Sequence, residues 1–245
     1  MTATIYHVNV GSMVDSSRVR VGRGAVVLAG LLAAVSACGP RLPPPPPYTP
    51  ELTPEPETRC PKEHAAAKAA REAFIGEEAP GLGARAAGTA FAHAECERAV
   101  LDGMTIDALD DAIFKKSIEA VKSQTYTTQN LYLEATRYGA LDWAIRGHAG
   151  VGALHVVYGD KLRRTEAPVA LSDPASLAAW RTEVELLARR VAHDGAAYFT
   201  QAIEGYELAP AELRAQPELA KTLRAACAAL AELEGPGVAM PGACR

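Results

Sequence analysis

Between Thr125 and Gly159 the chain gathers its richest set of chemistry-bearing side chains: Tyr126, Tyr132, Tyr138, Trp143, His148, His155 and Tyr158, with glycines at 139, 147, 150, 152 and 159. Aromatic rings supply apolar surface and histidines supply polar contacts, the usual mixture in a small-molecule pocket or a partner groove. His148 and His155 fall in the same heptad position as Leu141 and Leu162, so they share a helix face with core residues. Seven residues is two turns, or about 10 Å, too far for both rings to ligate one metal directly. A histidine on such a face is more often a core or boundary residue than a ligand. A second candidate lies on the stripe Leu177, Trp180, Val184, Leu187, Val191 and Tyr198, where Asp194 takes the next core position beside His193 and Gly195. A carboxylate on a buried seam needs a partner, and with a histidine from another helix it would form an acid–base pair. The competing reading is a solvent-facing kink at Gly195. The speculative ligand-binding set is therefore Tyr132, Tyr138, Trp143, His148, His155 and Asp194.

No catalytic residue is assigned. The sequence has no Gly-x-Ser-x-Gly, no His-Glu-x-x-His and no Cys-x-x-Cys-His. Gly147-x-x-Gly150-x-Gly152 lacks both the following Lys-Ser/Thr and the preceding strand of a phosphate loop. Glu77-Glu78 and Asp110-Asp111 are adjacent pairs that point apart on a helix and read as solvated charge. Neither a cofactor nor a metal is expected.

The helices that must position these residues start at Cys60, where composition turns to Ala, Leu, Glu and Arg. Pro61 and Glu63 open a helix to about Glu78, and Pro80-Gly81-Leu82-Gly83 separates it from a second over about 84–101. Thr105 is a plausible N-cap for the stripe Ile106, Leu109, Ile113, Phe114, Ile118 and Val121. A fourth segment covers about Thr127 to Tyr158. Ser172-Asp173-Pro174 starts a helix reaching Tyr206, Pro210 and Pro217 each suit a first turn, and the last helix ends near Glu234. No stretch alternates as a strand must. The fold class is all-α, a helical bundle or stacked helical hairpins after a proline-rich linker. The first pair resembles a tetratricopeptide hairpin, with small residues at its contacts and Pro80 between the helices, but no repeat of fixed period follows.

Ahead of this domain, Arg18, Arg20 and Arg23 precede an uncharged apolar run from Ala25 to Ala34, closed by Val35-Ser36-Ala37-Cys38. That is a secretory-signal layout, too short for a mature membrane span. The Val-Ser-Ala-Cys ending resembles the lipobox of bacterial lipoproteins. The resemblance implies a signal peptide over 1–37, with translation starting at Met1 or Met13, and cleavage before a lipidated Cys38. Gly39 is not the aspartate of the best-known inner-membrane retention rule, so the resemblance favours the outer membrane. Ordinary cleavage after Ala37 would leave five cysteines in an exported chain, an odd number. Lipidation of Cys38 leaves Cys60, Cys96, Cys227 and Cys244, enough for two disulfides. Three pairings are open; locality favours Cys60 with Cys96 and Cys227 with Cys244. Scattered thiols of this kind do not have metal-ligand spacing.

Residues 38–59 hold the anchor and Pro40, Pro43 to Pro47, Pro50, Pro54 and Pro56. This composition favours polyproline II, a stiff spacer of roughly 3.1 Å per residue with a reach on the order of 60 Å. A docking peptide for a proline-recognising domain is the other reading. Removal of Arg18, Arg20, Arg23 and Asp15 with the signal leaves 22 basic and 28 acidic groups of the original 25 and 29, a net charge of −6. Apart from Lys161-Leu162-Arg163-Arg164 there is no basic run, so nucleic acid is not an expected partner. The sequence thus leads to an envelope lipoprotein, its 60–245 domain binding another envelope protein or assembling a complex, held to the membrane by its lipid. The alternative is a small-ligand or metal-binding helical bundle.

Overall fold

A computed structural model describes residues 59–76, 81–236 and 238–244. The leader, Cys38, the spacer through residue 58 and the Glu77-Glu78 pair lie outside the described residues. The chain divides into Met1–Glu51 and Leu52–Arg245, and every described residue belongs to the second unit. The helices are α1 (Pro61–Gly76), α2 (Leu82–Gly103), α3 (Asp111–Ala135), α4 (Leu141–Arg163), α5 (Pro174–His193), α6 (Ala196–Leu208), the single turn α7 (Ala211–Arg214) and α8 (Pro217–Glu234). They form an all-α bundle with no strand among the described residues. No helix among them is long and apolar enough to cross a membrane.

α1 and α2 form an antiparallel hairpin. Its seam on α2 is alanine, with Ala86, Ala87, Ala90 and Ala94 all buried, and such small side chains let two backbones come close. α1 is described as far as Gly76, the expected end at Glu78 lies outside the described residues, and Cys60 bonds Cys96 across the hairpin. At the other end of the chain Cys227 of α8 bonds Cys244. The tail lies back on α6, where the Glu207 carboxylate accepts from the Ala243 N–H at 2.7 Å. These are the two local pairings.

Three boundaries differ from the sequence reading, the third within the helix expected from Ser172 to Tyr206. Asp110, not Thr105, caps α3, accepting from the Ile113 N–H at 2.8 Å. Residues 104–108 are extended instead, because Ser117 Oγ ties down both the N–H and the carbonyl of Asp107 (3.1 and 2.9 Å). Ile106 and Ala108 are thereby buried from a loop rather than from a helix face. The expected fourth segment is two helices. α3 runs unbroken through Thr125 and Thr128, whose hydroxyls bond the carbonyls of Val121 and Gln124 (2.8 and 2.9 Å). Satisfied in this way, buried threonines sit inside a helix without breaking it. The break comes later, at a 3₁₀ turn over Thr136–Tyr138 and at Gly139, whose φ of 72° suits glycine.

α4 is the axis of the bundle and packs against α2, α3, α5, α6 and α8. Val151, Leu154 and Leu162 join Leu101, Val121, Tyr132 and Ala188 in the main core. A second core, of Phe199, Ile203, Ala226 and Leu230, joins α6 to α8 and the tail. α5 starts as its sequence indicates, with Asp173 capping Ser176 and Pro174 in the first turn. The helix expected to reach Tyr206 divides at Asp194–Gly195 into α5 and α6. Lys161 of the basic run donates to the carbonyls of Asp102 and Met104 (2.9 and 2.7 Å), placing a cation at the C-terminus of α2. Burial lowers the pKa of that amine.

Candidate functional site: a tyrosine between two histidines

Gly195 is buried where α6 crosses α4; a Cβ there would meet the Gly152 carbonyl oxygen at 2.7 Å, and one on Gly152 would meet the Phe199 ring at 2.8 Å. Only glycine permits this approach. It carries Tyr198, three residues past the break, onto the histidine face of α4. The Tyr198 ring lies 6.5 Å from His148 and 5.8 Å from His155, with planes within 23° and 13°. The histidines are two turns apart, so the tyrosine fills the space between them. Its hydroxyl accepts from Gln129 Nε2 of α3 at 3.3 Å.

This stack is half-buried and under-bonded. Nδ1 of His148, both ring nitrogens of His155 and Oε1 of Gln129 are buried without a hydrogen-bond partner in the protein. Such groups are uncommon in folded proteins and strongly favour the neutral state of a titratable ring. Burial lowers the pKa of His148 and, more than any other cause, that of His155. The charge of Asp194 opposes the shift at His155, as does the Val191 carbonyl, which acts on the ring without reaching hydrogen-bond geometry. Burial, then Asp194, raises the pKa of Tyr198. Asp194 is itself exposed at the end of α5, its N–H bonded to the carbonyls of Ala192 and Arg190.

Of the six residues singled out from sequence, three gather here: His148, His155 and Asp194. The other three lie elsewhere. Tyr132 is fully buried, edge-on to Phe91, and its hydroxyl donates to Glu95. Trp143 also packs against Phe91, 5.3 Å from that ring, with the Arg146 guanidinium 4.9 Å from its own ring centre. Tyr138 packs edge-on to Phe74 and donates to Glu134 at 2.7 Å. These are core and boundary aromatics, the two tyrosines hydrogen-bonded to glutamates. Tyr198 and Gln129 complete the stack, and no spacing in the sequence joins them to the histidines; the glycine before Tyr198 is the one local sign of a close crossing.

A second polar centre lies under the α1–α2 hairpin. Glu97, buried, accepts from the Arg59 N–H (3.0 Å) and from Gln124 Nε2 (2.8 Å), with His93 Nε2 at 3.7 Å. His93 is buried too and meets His64 edge-on at 5.2 Å. Nearby, Cys60, Glu63 and Cys96 place ligand atoms within 4.8 Å of one another. Both sulfurs are bonded to each other, so this trio offers a metal no thiolate. An open groove of about 670 Å³ runs between α4, α5 and α8, lined by Asp160, Arg163, Glu185, Arg189 and Arg190 among others. Within it Arg163 pairs with Asp160 and Glu185 (2.8 and 3.3 Å), and Arg189 with Glu185 (2.6 Å). Its charges largely pair among themselves, which leaves little field for an ionic ligand. Comparisons with protein-family models, curated proteins and solved structures found no match.

Proposed function

We propose that this chain is an exported lipoprotein, anchored through Cys38, whose disulfide-stapled helical domain binds another protein of the cell envelope. The observation that carries the reading is cysteine parity. All four cysteines beyond Cys38 pair off, Cys60 with Cys96 and Cys227 with Cys244, and Cys38 is left over behind an apolar leader. Disulfides belong to oxidising compartments, and an odd cysteine at a lipobox-like ending has acylation as its use. The surface agrees with a binding role. The spacer enters at the N-terminal end of α1, while Phe74 and Ile75, exposed at 38 and 71 %, lie at its far end beside Tyr138. Fifteen residues of helix place that apolar end about 22 Å from the N-terminal end of α1.

Two experiments test this. Growth with a clickable palmitate analogue should label the wild-type chain and not Cys38→Ala; equal labelling of both would end the anchor reading. For the domain, a photocrosslinker at Ile75 should give one discrete adduct in cells, lost with Phe74→Glu, and one at Lys62 should not. Adducts at neither position, or the same at both, would count against an interface at this end.

The gathering of His148, His155 and Asp194 around Tyr198 favours a second reading, a small-ligand bundle. A ligand that satisfied those nitrogens would raise the melting temperature of the wild type but not of a His148→Gln/His155→Gln chain.

A further inference from the structure

α6 is held on α4 by contacts that tolerate no added atom and no added charge. Gly152 and Gly195 touch backbone to backbone, Phe199 lies on Gly152, and Tyr198 is inserted between His148 and His155. Three ring nitrogens of the two histidines are buried without a hydrogen bond. The break at Asp194–Gly195, which separates α6 from α5, is a ready hinge. We propose that the His148–Tyr198–His155 stack is an acid-released latch, which holds α6 against α4 while both imidazoles are neutral and frees it when they are protonated. Release uncovers Gly152 and the Phe199 ring, giving the domain an apolar face it lacks at neutral pH.

The physical basis is hydration. A neutral imidazole stacks on a phenol at small cost, but an imidazolium carries two N–H donors that each need an acceptor. In the closed stack neither nitrogen of His155 nor Nδ1 of His148 makes a hydrogen bond, the Val191 carbonyl near His155 lying outside bonding geometry, whereas in the open state water supplies acceptors to all of them. The groups facing the stack are few. α6 contributes Tyr198, α3 contributes Gln129 and, through Tyr198, Tyr126. The α5 side contributes the Val191 carbonyl and the Asp194 carboxylate, both of which favour a protonated His155 without outweighing its burial. No other charge acts on either ring among the described residues. The direction follows. Open-state histidines protonate near pH 6.5, and closed-state ones only at lower pH, so acid draws α6 open. Each histidine so suppressed raises the opening constant by up to about tenfold for each pH unit below 6.5. The latch needs neither the lipid anchor nor a partner, so it stands apart from the function proposed above.

Amide hydrogen exchange on the full-length protein, corrected for intrinsic rates and followed from pH 7.5 to 5.0, tests it. Protection over 196–208 should fall at least about tenfold by pH 5.5, while α3 keeps its protection. In His148→Gln/His155→Gln the loss over α6 should disappear. Asp194→Asn, at an exposed position, removes the charge that eases protonation of closed His155, so α6 should open at a higher pH than in the wild type. Constant protection of wild-type α6 down to pH 5.0 would overturn the latch. So would loss in step across α3 and α6, undiminished loss in the double variant, or a shift of the Asp194→Asn transition to lower pH.

Discussion

Glu97 accepts the backbone N–H of Arg59 at 3.0 Å, across 38 residues of sequence and one residue ahead of the Cys60–Cys96 bridge. A buried carboxylate thus fixes the point at which the chain enters the bundle, and the disulfide fixes it again covalently. The same carboxylate holds Gln124 of α3, so the chain entering α1, α2 itself and α3 meet on one side chain. Whatever force reaches the domain through residue 59 passes first into this clamp rather than into the stack on α4.

Glu97→Ala should therefore destabilise strongly. It takes the acceptor from the Arg59 N–H, leaves Gln124 only the residue-97 carbonyl at 3.1 Å, and removes the carboxylate beside buried His93, so the expected loss is about 2–4 kcal/mol. Glu97→Gln should lose less, because its amide oxygen still accepts one bond. Urea unfolding with the disulfides intact measures both. An alanine variant within about 0.5 kcal/mol of wild type would mean that water replaces the clamp freely.

The two disulfides should contribute unequally. Their sequence separations are 36 and 17 residues, and loop-closure entropy makes the first the more stabilising by about 0.7 kcal/mol. Each removed alone, as a double serine replacement, should cost about 2–4 kcal/mol. Serine replacement at Cys227 and Cys244 should also free the tail, which is otherwise held by the Glu207–Ala243 hydrogen bond. Equal midpoints for the two variants would show that native strain or residual structure in the unfolded chain dominates the entropy.

Much of the fold was legible because its signals are local. Asp173-Pro174 starts α5 as such a pair should, and the glycine and proline punctuation separates most helices. Where non-local bonds decide, local signals misplaced the boundaries. Thr105 and Asp110 are both acceptable caps, and the choice falls to Ser117, ten residues from Asp107, which holds the intervening loop extended. Thr125 and Thr128 look like helix breakers until their hydroxyls are seen to bond back onto α3. The candidate site was half legible. Heptad spacing puts His148 and His155 on one face, but that face turns along the helix: Leu141 is 37 % exposed and Leu162 fully buried. Which ring would fill the gap depends on how α6 crosses α4, a tertiary fact that no spacing encodes.

That crossing makes a sharp prediction about glycines. Gly195→Ala would drive a methyl into the Gly152 carbonyl at 2.7 Å, and backbone cannot yield as a side chain does. The expected loss is about 1–3 kcal/mol, with the Tyr198 stack disturbed. Gly103→Ala is the control, at the end of α2 with nothing within 4 Å of the added carbon. It should be neutral or stabilise by up to about 1 kcal/mol through lower unfolded-state entropy. Thermal unfolding of the two variants side by side decides the matter, and equal melting temperatures would mean that α6 slides on α4 at no cost.

His93 should give the domain a second acid response, spatially separate from the latch. Burial lowers its pKa first, and neighbouring His64 lowers it further, against the opposing charges of Glu97, Glu134 and Glu63. The folded chain holds this ring largely neutral while the unfolded chain protonates it near 6.5. Stability is therefore full above pH 6.5 and falls as pH drops through that value, until the folded ring takes up its own proton. His93→Gln should flatten this loss at the α1–α2 end, seen by amide exchange over 61–76 and 82–103, and leave the acid response of α6 in place. Should His93→Gln abolish the α6 response as well, the two ends would be one cooperative unit, and the histidines of α4 would not act on their own.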